Sequence, residues 1–193
     1  MKIGVDCDSV LNNLTERVLE VYNADNEDNL TLDDITDYYM EQFVKPECRK
    51  DFYKIFSDKR VWKGIRVIDN CVDVLKKYND RGHIIYIVTA TEPSNMSKKG
   101  AWLSRLLPFL DIRKRLICIH SKQLLNGNID VLIDDSLKNL IDGDYKRVVL
   151  DYPWNRNVND ADNKLIRCKD WLEIDKVLEE IEKEKNKGSK DEE

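Results

Sequence analysis

The sequence predicts an α/β fold: a Rossmann-like core with a parallel sheet, interrupted after its first strand by an α-helical segment. Three observations carry this expectation. Short apolar runs rich in β-branched residues recur along the chain without alternating with polar residues, as strands covered on both faces do. Helical patterns lie between these runs, as right-handed βαβ crossovers require. The stretch between the first run and the second is far longer than the roughly 30 residues of an ordinary βαβ unit.

The elements follow in order. Ile3–Val5 is the first strand, ending at Asp6. A helix holding Val18 and Val21 comes next. The excess between Asn12 and Arg66 reads as helical: Thr31-Leu32-Asp33-Asp34 has the form of a capping box, and Pro46 suits the first turn of a helix running to about Ser57. Asp69 is placed to cap a helix carrying Val72, Leu75 and Tyr78, with Gly82 just past its end. Ile84–Val88 is the second strand. Ser94 starts a helix whose buried side holds Trp102, Leu103, Leu106 and Leu107. Leu116–Ile119, Val131–Ile133 and Val148–Leu150 complete the sheet. The division that results is a core of residues 1–12 and 81–178 with a helical cap at 13–80. The end, Glu179 to Glu193, is almost entirely charged; its first part extends a helix, and residues 186–193 are expected to be a disordered tail.

Composition narrows the function. With 193 residues, 41% hydrophobic and 36% charged, the chain is long enough for one sizeable core under a charged surface. A net charge of -5 supplies no basic field for nucleic acid or anionic lipid. The five cysteines form no CxxC, which indicates neither a disulfide framework nor a zinc site. Met1 to Asp6 reaches a charge at once, without the apolar stretch of a signal peptide, and no apolar run approaches membrane-spanning length. A cytoplasmic protein with reduced thiols is the expectation.

The residues that carry chemistry sit where strands end. Asp6 and Asp8 are two carboxylates two residues apart, and in extended chain such residues point the same way. Carboxylates that close repel unless a cation or a shared proton compensates, and magnesium is the natural cation for oxygen ligands. The plain alternative is that Asp8 or Ser9 caps the following helix. Thr89 ends the second strand, where a hydroxyl can bind a phosphate oxygen; Thr91 with Pro93 and Ser94 equally suits a helix entry. Lys122 follows the third strand and offers a point charge to a phosphoryl group, although a solvated lysine is the default. His120 beside it reads as a general base or as a strand-end histidine in solvent. Asp134 and Asp135 leave the fourth strand; one can reach a metal, and Asp135 can also cap a helix near Ser136. Cys7 should point into the core. Of Tyr38, Tyr39, Phe43, Phe52, Phe56 and Trp62, some must build the small core of the insertion, and one or two facing the sheet could stack a nucleobase, Trp62 being the candidate platform. The loop Asp151–Arg156 either walls the site, with Arg156 near phosphate, or is an ordinary rigid loop.

This succession of acidic pair, threonine, lysine and acidic pair resembles the motifs of the haloacid dehalogenase superfamily. Asp6/Asp8, Thr89, Lys122 and Asp134/Asp135 match them residue by residue, and the insertion after the first motif matches the superfamily's helical cap. Over Lys2 to about Leu178, including Val61-Trp62, Ile68–Tyr78 and Asp170-Trp171, the chain is similar to the 5'(3')-deoxyribonucleotidase family. Two positions depart from the pattern: Ser9 stands for the usual glycine, and Ala90 for a hydroxyl residue. The resemblance implies a magnesium-dependent phosphomonoester hydrolase acting on nucleoside monophosphates through an aspartyl-phosphate. Asp6 is then the nucleophile and Asp8 the acid and base. Thr89 and Lys122 bind phosphate. Asp6, Asp134 and the Asp8 backbone carbonyl hold Mg2+, with Asp135 a second acidic ligand or a cap. A small-molecule substrate is implied, with no nucleic-acid polymer and no membrane, and a homodimer is compatible. Three alternatives stay open: a phosphatase of sugar phosphates or nucleic-acid ends, a phosphoryl-binding regulatory module with negligible turnover, and a carbon–halogen hydrolase without magnesium.

Overall fold

The structure, a computed structural model, describes residues 1–91 and 93–188. Six parallel strands form one sheet: β1 (Lys2–Val5), β2 (Ile84–Thr89), β3 (Leu116–Cys118), β4 (Val131–Asp134), β5 (Lys146–Leu150) and β6 (Leu165–Cys168), in the spatial order β3-β2-β1-β4-β5-β6. Every pair of neighbours is parallel. β6 was not expected. Its segment Leu-Ile-Arg-Cys is short, carries a charge and lies at the sheet's edge, so it lacks the apolar run of a covered strand.

Parity sorts the strand residues onto two faces. Ile3, Val5, Ile85, Ile87, Val131, Ile133, Val148 and Leu150 join one cluster, while Val88, Leu132 and Val149 join another. The first is covered by α3 (Cys71–Asp80), α4 (Pro93–Leu106) and α7 (Trp171–Gly188), through residues such as Tyr78, Leu103 and Ile174. The second lies under the turns around Leu125 and Leu140. α3 starts after Asn70, not after the expected cap Asp69: Asn70 takes a left-handed conformation at φ 64°. Gly82, at φ 84°, closes that helix by donating to the Asn79 carbonyl at 2.9 Å. Asp170 caps α7, accepting from the N–H groups of Leu172 and Glu173. Helix α7 runs to Gly188, so residues 186–188 of the expected tail are helical; residues 189–193 lie outside the described residues.

Between β1 and α3 the chain forms α1 (Leu14–Asn26), a long run of 3-10 turns from Pro46 to Ser57, and α2 (Lys59–Gly64). The turns at Leu32–Asp34 begin as their sequence suggests, with Asp34 accepting from both the backbone and the hydroxyl of Thr31 at 2.7 Å. The segment has its own core, in which Val18, Tyr22, Ile35, Phe52 and Val61 are buried. Because α3 packs into the main core, we set the boundaries of the insertion at residues 14–64, short of the expected residue 80.

β1 and β4 are neighbours although β2 and β3 intervene in sequence. Chain connections leave these two strands in opposite directions, which opens a crevice beyond their carboxyl ends. Asp6 follows one strand and Asp134 ends the other. Among the described residues no helix is long and apolar enough to cross a membrane, and all five cysteines are free thiols.

Candidate active site

Asp6 leaves β1 still bound to the sheet, its N–H donating to the Ile133 carbonyl at 2.8 Å. That bond sets the nucleophile candidate beside the end of β4. Lys122, fully buried, donates its ammonium to Asp6 Oδ1 and to Asp134 Oδ2, the latter at 2.5 Å. Asp134 is held further by the Ser136 N–H at 2.9 Å and by both contacts of the Asn139 amide, at 3.0 and 3.1 Å. It is thus Asp134, not Asp135, that organises the turn into α6 (Leu137–Leu140). Asp135 turns the other way: its Oδ2 accepts from the Trp154 indole at 3.1 Å, and its carbonyl accepts from Asn155 at 2.8 Å.

Burial dominates the electrostatics. It pushes the Asp6 carboxyl up to about 7, with Lys122 opposing and Asp134 and Asp8 adding to the rise. Asp135 is held well above the ordinary carboxylate range by burial and then by Asp134 and Asp6. For Lys122 burial acts downward, but the two carboxylates outweigh it and hold the ammonium above its usual value.

Asp8 does not share the cation of Asp6. It stands past the strand, where the chain has turned, and its two oxygens accept from different donors: Oδ1 from Asn12 at 3.3 Å and Oδ2 from Lys99 at 2.5 Å. The helix-cap alternative for Asp8 and Ser9 does not hold, because the first turn of α1 is met by Asn12, whose Oδ1 accepts from the Leu14 N–H at 3.0 Å. Cys7 between the aspartates is buried in the main core. Ser9 takes φ 59°, a left-handed conformation that explains why glycine suits this position.

Thr89 is buried at the end of β2 and accepts from Lys99 at 2.8 Å. Lys99 escaped sequence reasoning as one half of a Lys-Lys pair on a helix. A signal was present nonetheless: Asn95, Lys99, Leu103 and Leu107 recur every fourth residue, and all four are buried.

Above this floor opens a cavity of about 400 Å³. Asp6, Asp8, Asp135 and Asn139 border it below, and the insertion supplies an apolar wall that includes Ile35, Tyr38, Phe56 and Trp62. Thr89, Lys122 and Asp134 lie behind the lining. Trp62 donates its indole N–H to the Phe56 carbonyl at 2.8 Å. His120 sits exposed at the rim. Arg156 does not face the cavity; it pairs with Asp151 at 2.9 Å on the surface, so the loop reaches the site through Trp154 instead.

Comparison with known proteins shows what the chain is similar to. A family model described as "5' nucleotidase, deoxy (Pyrimidine), cytosolic type C protein" matches residues 1–184. A 5'(3')-deoxyribonucleotidase of Clostridium acetobutylicum is 30% identical over 93% of this chain and 95% of its own. One of Bacillus subtilis is 25% identical over 91% and 97%. In fold, the chain is similar to a haloacid dehalogenase-like family hydrolase from Xanthomonas campestris, with a TM-score of 0.60 at 12% identity, covering 97% of this chain and 98% of that one.

Proposed function

The chain belongs to the 5' nucleotidase, deoxy (pyrimidine), cytosolic type C family, and from that premise we propose that it hydrolyses nucleoside monophosphates, deoxyribonucleotides foremost, through an aspartyl-phosphate on Asp6. The single observation that carries the reading is the convergence of Asp6, Lys122 and Asp134 at the switch point of the sheet, beneath a cavity with an aromatic wall.

Asp6 is buried beside a cation, so its carboxylate is desolvated and aimed at the cavity floor. It attacks phosphorus, the P–O bond to the nucleoside breaks, and Asp8 gives the departing oxygen a proton. Asp8 then takes a proton from the water that splits the acyl-phosphate. Thr89 and Lys122 hold phosphoryl oxygens as charge redistributes. The insertion covers the leaving group and so selects it. Trp62 has spent its one donor on Phe56, and thus offers a base only its ring.

The donor set fits magnesium. Two buried carboxylates, Asp6 and Asp134, share one buried ammonium, Lys122, the buried Asp135 adds a third acidic group nearby, and Cys7 between the aspartates lies in the core. Oxygen donors with excess negative charge suit a hard divalent cation. Among the described residues no three acidic, histidine or cysteine side chains converge as a complete cage, so Asp6 and Asp134 would hold the ion with the Asp8 backbone carbonyl and water. Bound there, it supplies charge that lets a carboxylate approach a phosphate.

The test is phosphate release from a panel of ribo- and deoxyribonucleoside monophosphates, with magnesium and with a chelator. Turnover is expected only with magnesium and fastest on a deoxyribonucleotide. Asp6→Asn should lower kcat by more than about 10³-fold with the fold intact. Activity of Asp6→Asn within tenfold of the parent removes Asp6 as nucleophile, and full activity in chelator removes the metal.

A further inference from the structure

Among the described residues, the four motifs leave one buried cation without a role. Lys99 lies on α4, outside every motif, and is 1% exposed. A lysine taken out of water loses its hydration, and a buried ion pair is a poor source of net stability against an apolar pair of the same volume. Leucine continues the same face at Leu103 and Leu107, so an apolar residue at 99 would extend it. The ammonium therefore calls for an explanation beyond packing.

Its contacts give one. Lys99 Nζ reaches Asp8 Oδ2 at 2.5 Å and Thr89 Oγ1 at 2.8 Å. An ammonium only donates, so the Thr89 oxygen must accept, and the hydroxyl hydrogen is left for another acceptor. No described residue takes it. Asp8 is fixed at both oxygens, by Asn12 on one side and Lys99 on the other. One side chain thus joins the group that anchors a phosphoryl oxygen to the group that serves the leaving oxygen on the same phosphorus. Helix α4 is itself fastened to the end of the insertion: Asn95 donates to the Ser57 hydroxyl at 3.2 Å, and Lys98 to the Ser57 carbonyl at 3.3 Å.

We propose that Lys99 is a positioning residue for the hydrolysis, setting Asp8 and Thr89 at a fixed separation so that the acid meets the leaving oxygen of a phosphoryl group held by Thr89. This rests on the reading of Asp8 as the acid and base. Loss of Lys99 then weakens protonation of the leaving group more than it weakens phosphate binding. A nucleoside alkoxide needs that proton; p-nitrophenolate hardly does.

The experiment measures kcat and KM for the parent, Lys99→Met, Lys99→Arg, Asp8→Asn and the Lys99→Met/Asp8→Asn pair. The substrates are the deoxyribonucleoside 5'-monophosphate turned over fastest in the panel and p-nitrophenyl phosphate. Circular dichroism establishes folding. Misplacing a reacting group by an ångström costs on the order of 10²-fold, so Lys99→Met should lower kcat on the nucleotide by about 30- to 100-fold. On the aryl phosphate it should lose less than about tenfold, with KM within about threefold on both. In the Asp8→Asn background the same change should leave the ratio between the substrates where Asp8→Asn put it. Lys99→Arg should recover part of the lost ratio, because it keeps the charge and shifts the donors. An equal fall on both substrates, or a further fall in the ratio without Asp8, overturns the proposal. If Asp8→Asn itself does not discriminate, the acid role of Asp8 is wrong and Lys99 loses its function with it. Should Lys99→Met not fold, Lys99→Arg carries the comparison against the parent, and an equal loss on both substrates is again the overturning result.

Discussion

Ser9 shows how a single side chain is held against its own preference. A left-handed backbone costs an L residue roughly 1–2 kcal/mol. Ser9 offsets this with a hydroxyl bond to Thr15 at 2.8 Å and a backbone N–H to Asn12 at 3.3 Å. Ser9→Gly relieves the strain but loses the hydroxyl bond, so its stability should stay within about 1 kcal/mol of the parent. Ser9→Ala loses the bond and keeps the strain, and should fall about 1–2 kcal/mol below the parent. Urea midpoints decide; alanine at or above glycine would remove the strain argument. Lys122 is the opposite case, a charge demanded by its neighbours. Removing one partner of a buried pair costs about 3–5 kcal/mol, and Lys122→Met should show a loss of that order. The loss should depend on pH. Asp6 is raised to about 7 even with Lys122 beside it, so the folded state binds a proton that the unfolded state has released above about 4. Stability from that proton is fully present below the unfolded value and drains away as pH rises through the folded one. Without Lys122 the folded value is higher still. The deficit should therefore grow between pH 6 and pH 8.5 in urea titrations, and a constant deficit would contradict the burial argument. The placement of Asp6, Asp8, Thr89, Lys122, Asp134 and Asp135 near the carboxyl edge was legible because each ends or follows an apolar strand; their roles belong to the proposed function. That of Lys99 was not legible, because a helix face announces burial only when its polar members are tested against the same period as its leucines.

At the scale of elements, legibility followed the apolar run, which β3 keeps at one edge of the sheet and β6 lacks at the other. Five strands read as covered apolar runs, while β6 did not, since an edge strand can carry Arg167 and still pair. The start of α3 was misplaced by one residue because Asn70 reaches the helix through a left-handed conformation that no side-chain preference for capping reports. Pro46 marked a helical start correctly, but the run it opens is 3-10 in type. Helix α4 carries a correctable weakness. Gly100 lies in its interior, and an added Cβ would meet nothing within 4 Å. Gly100→Ala should raise stability by about 0.5–1 kcal/mol through the entropy of the unfolded chain. Because the substitution touches neither Asn95 nor Lys99, kcat should stay within about twofold. A rise in the urea midpoint with unchanged activity is expected; a loss of stability would mean that α4 is not helical at Gly100.

Across the whole molecule, the loop after β5 joins the main core to the core of the insertion, and Tyr152 packs against both. Trp154 follows β5, yet it is buried in the cluster of the insertion, its ring stacked on Tyr152 at 4.3 Å with the planes 6° apart. Its indole N–H ends on Asp135 at the carboxyl edge of the sheet. The insertion is therefore seated on the sheet by a side chain of the sheet's own loop, and the aromatic wall keeps its place over Asp6 through that seat. Trp154→Phe preserves most of the packing and deletes the donor, leaving the Asp135 oxygen unmet, at about 1–3 kcal/mol. Trp154→Ala also opens a cavity, at about 3–5 kcal/mol. If the seat is what fixes the insertion, hydrogen exchange should separate the two regions. Amides of residues 14–64 should lose protection in Trp154→Ala, while β1 and β4, held by the main core, should keep theirs. On the proposed function, in which the insertion covers the leaving group and the sheet edge handles the phosphoryl group, turnover should follow the same division. Trp154→Ala should lose at least about tenfold more kcat/KM on a nucleotide than on p-nitrophenyl phosphate, in keeping with the roughly 1–3 kcal/mol that stacking a base on an aromatic ring contributes. Uniform loss of protection over strands and insertion alike would show instead that both unfold as one unit, and that Trp154 serves the stability of the whole without seating the wall that selects the substrate.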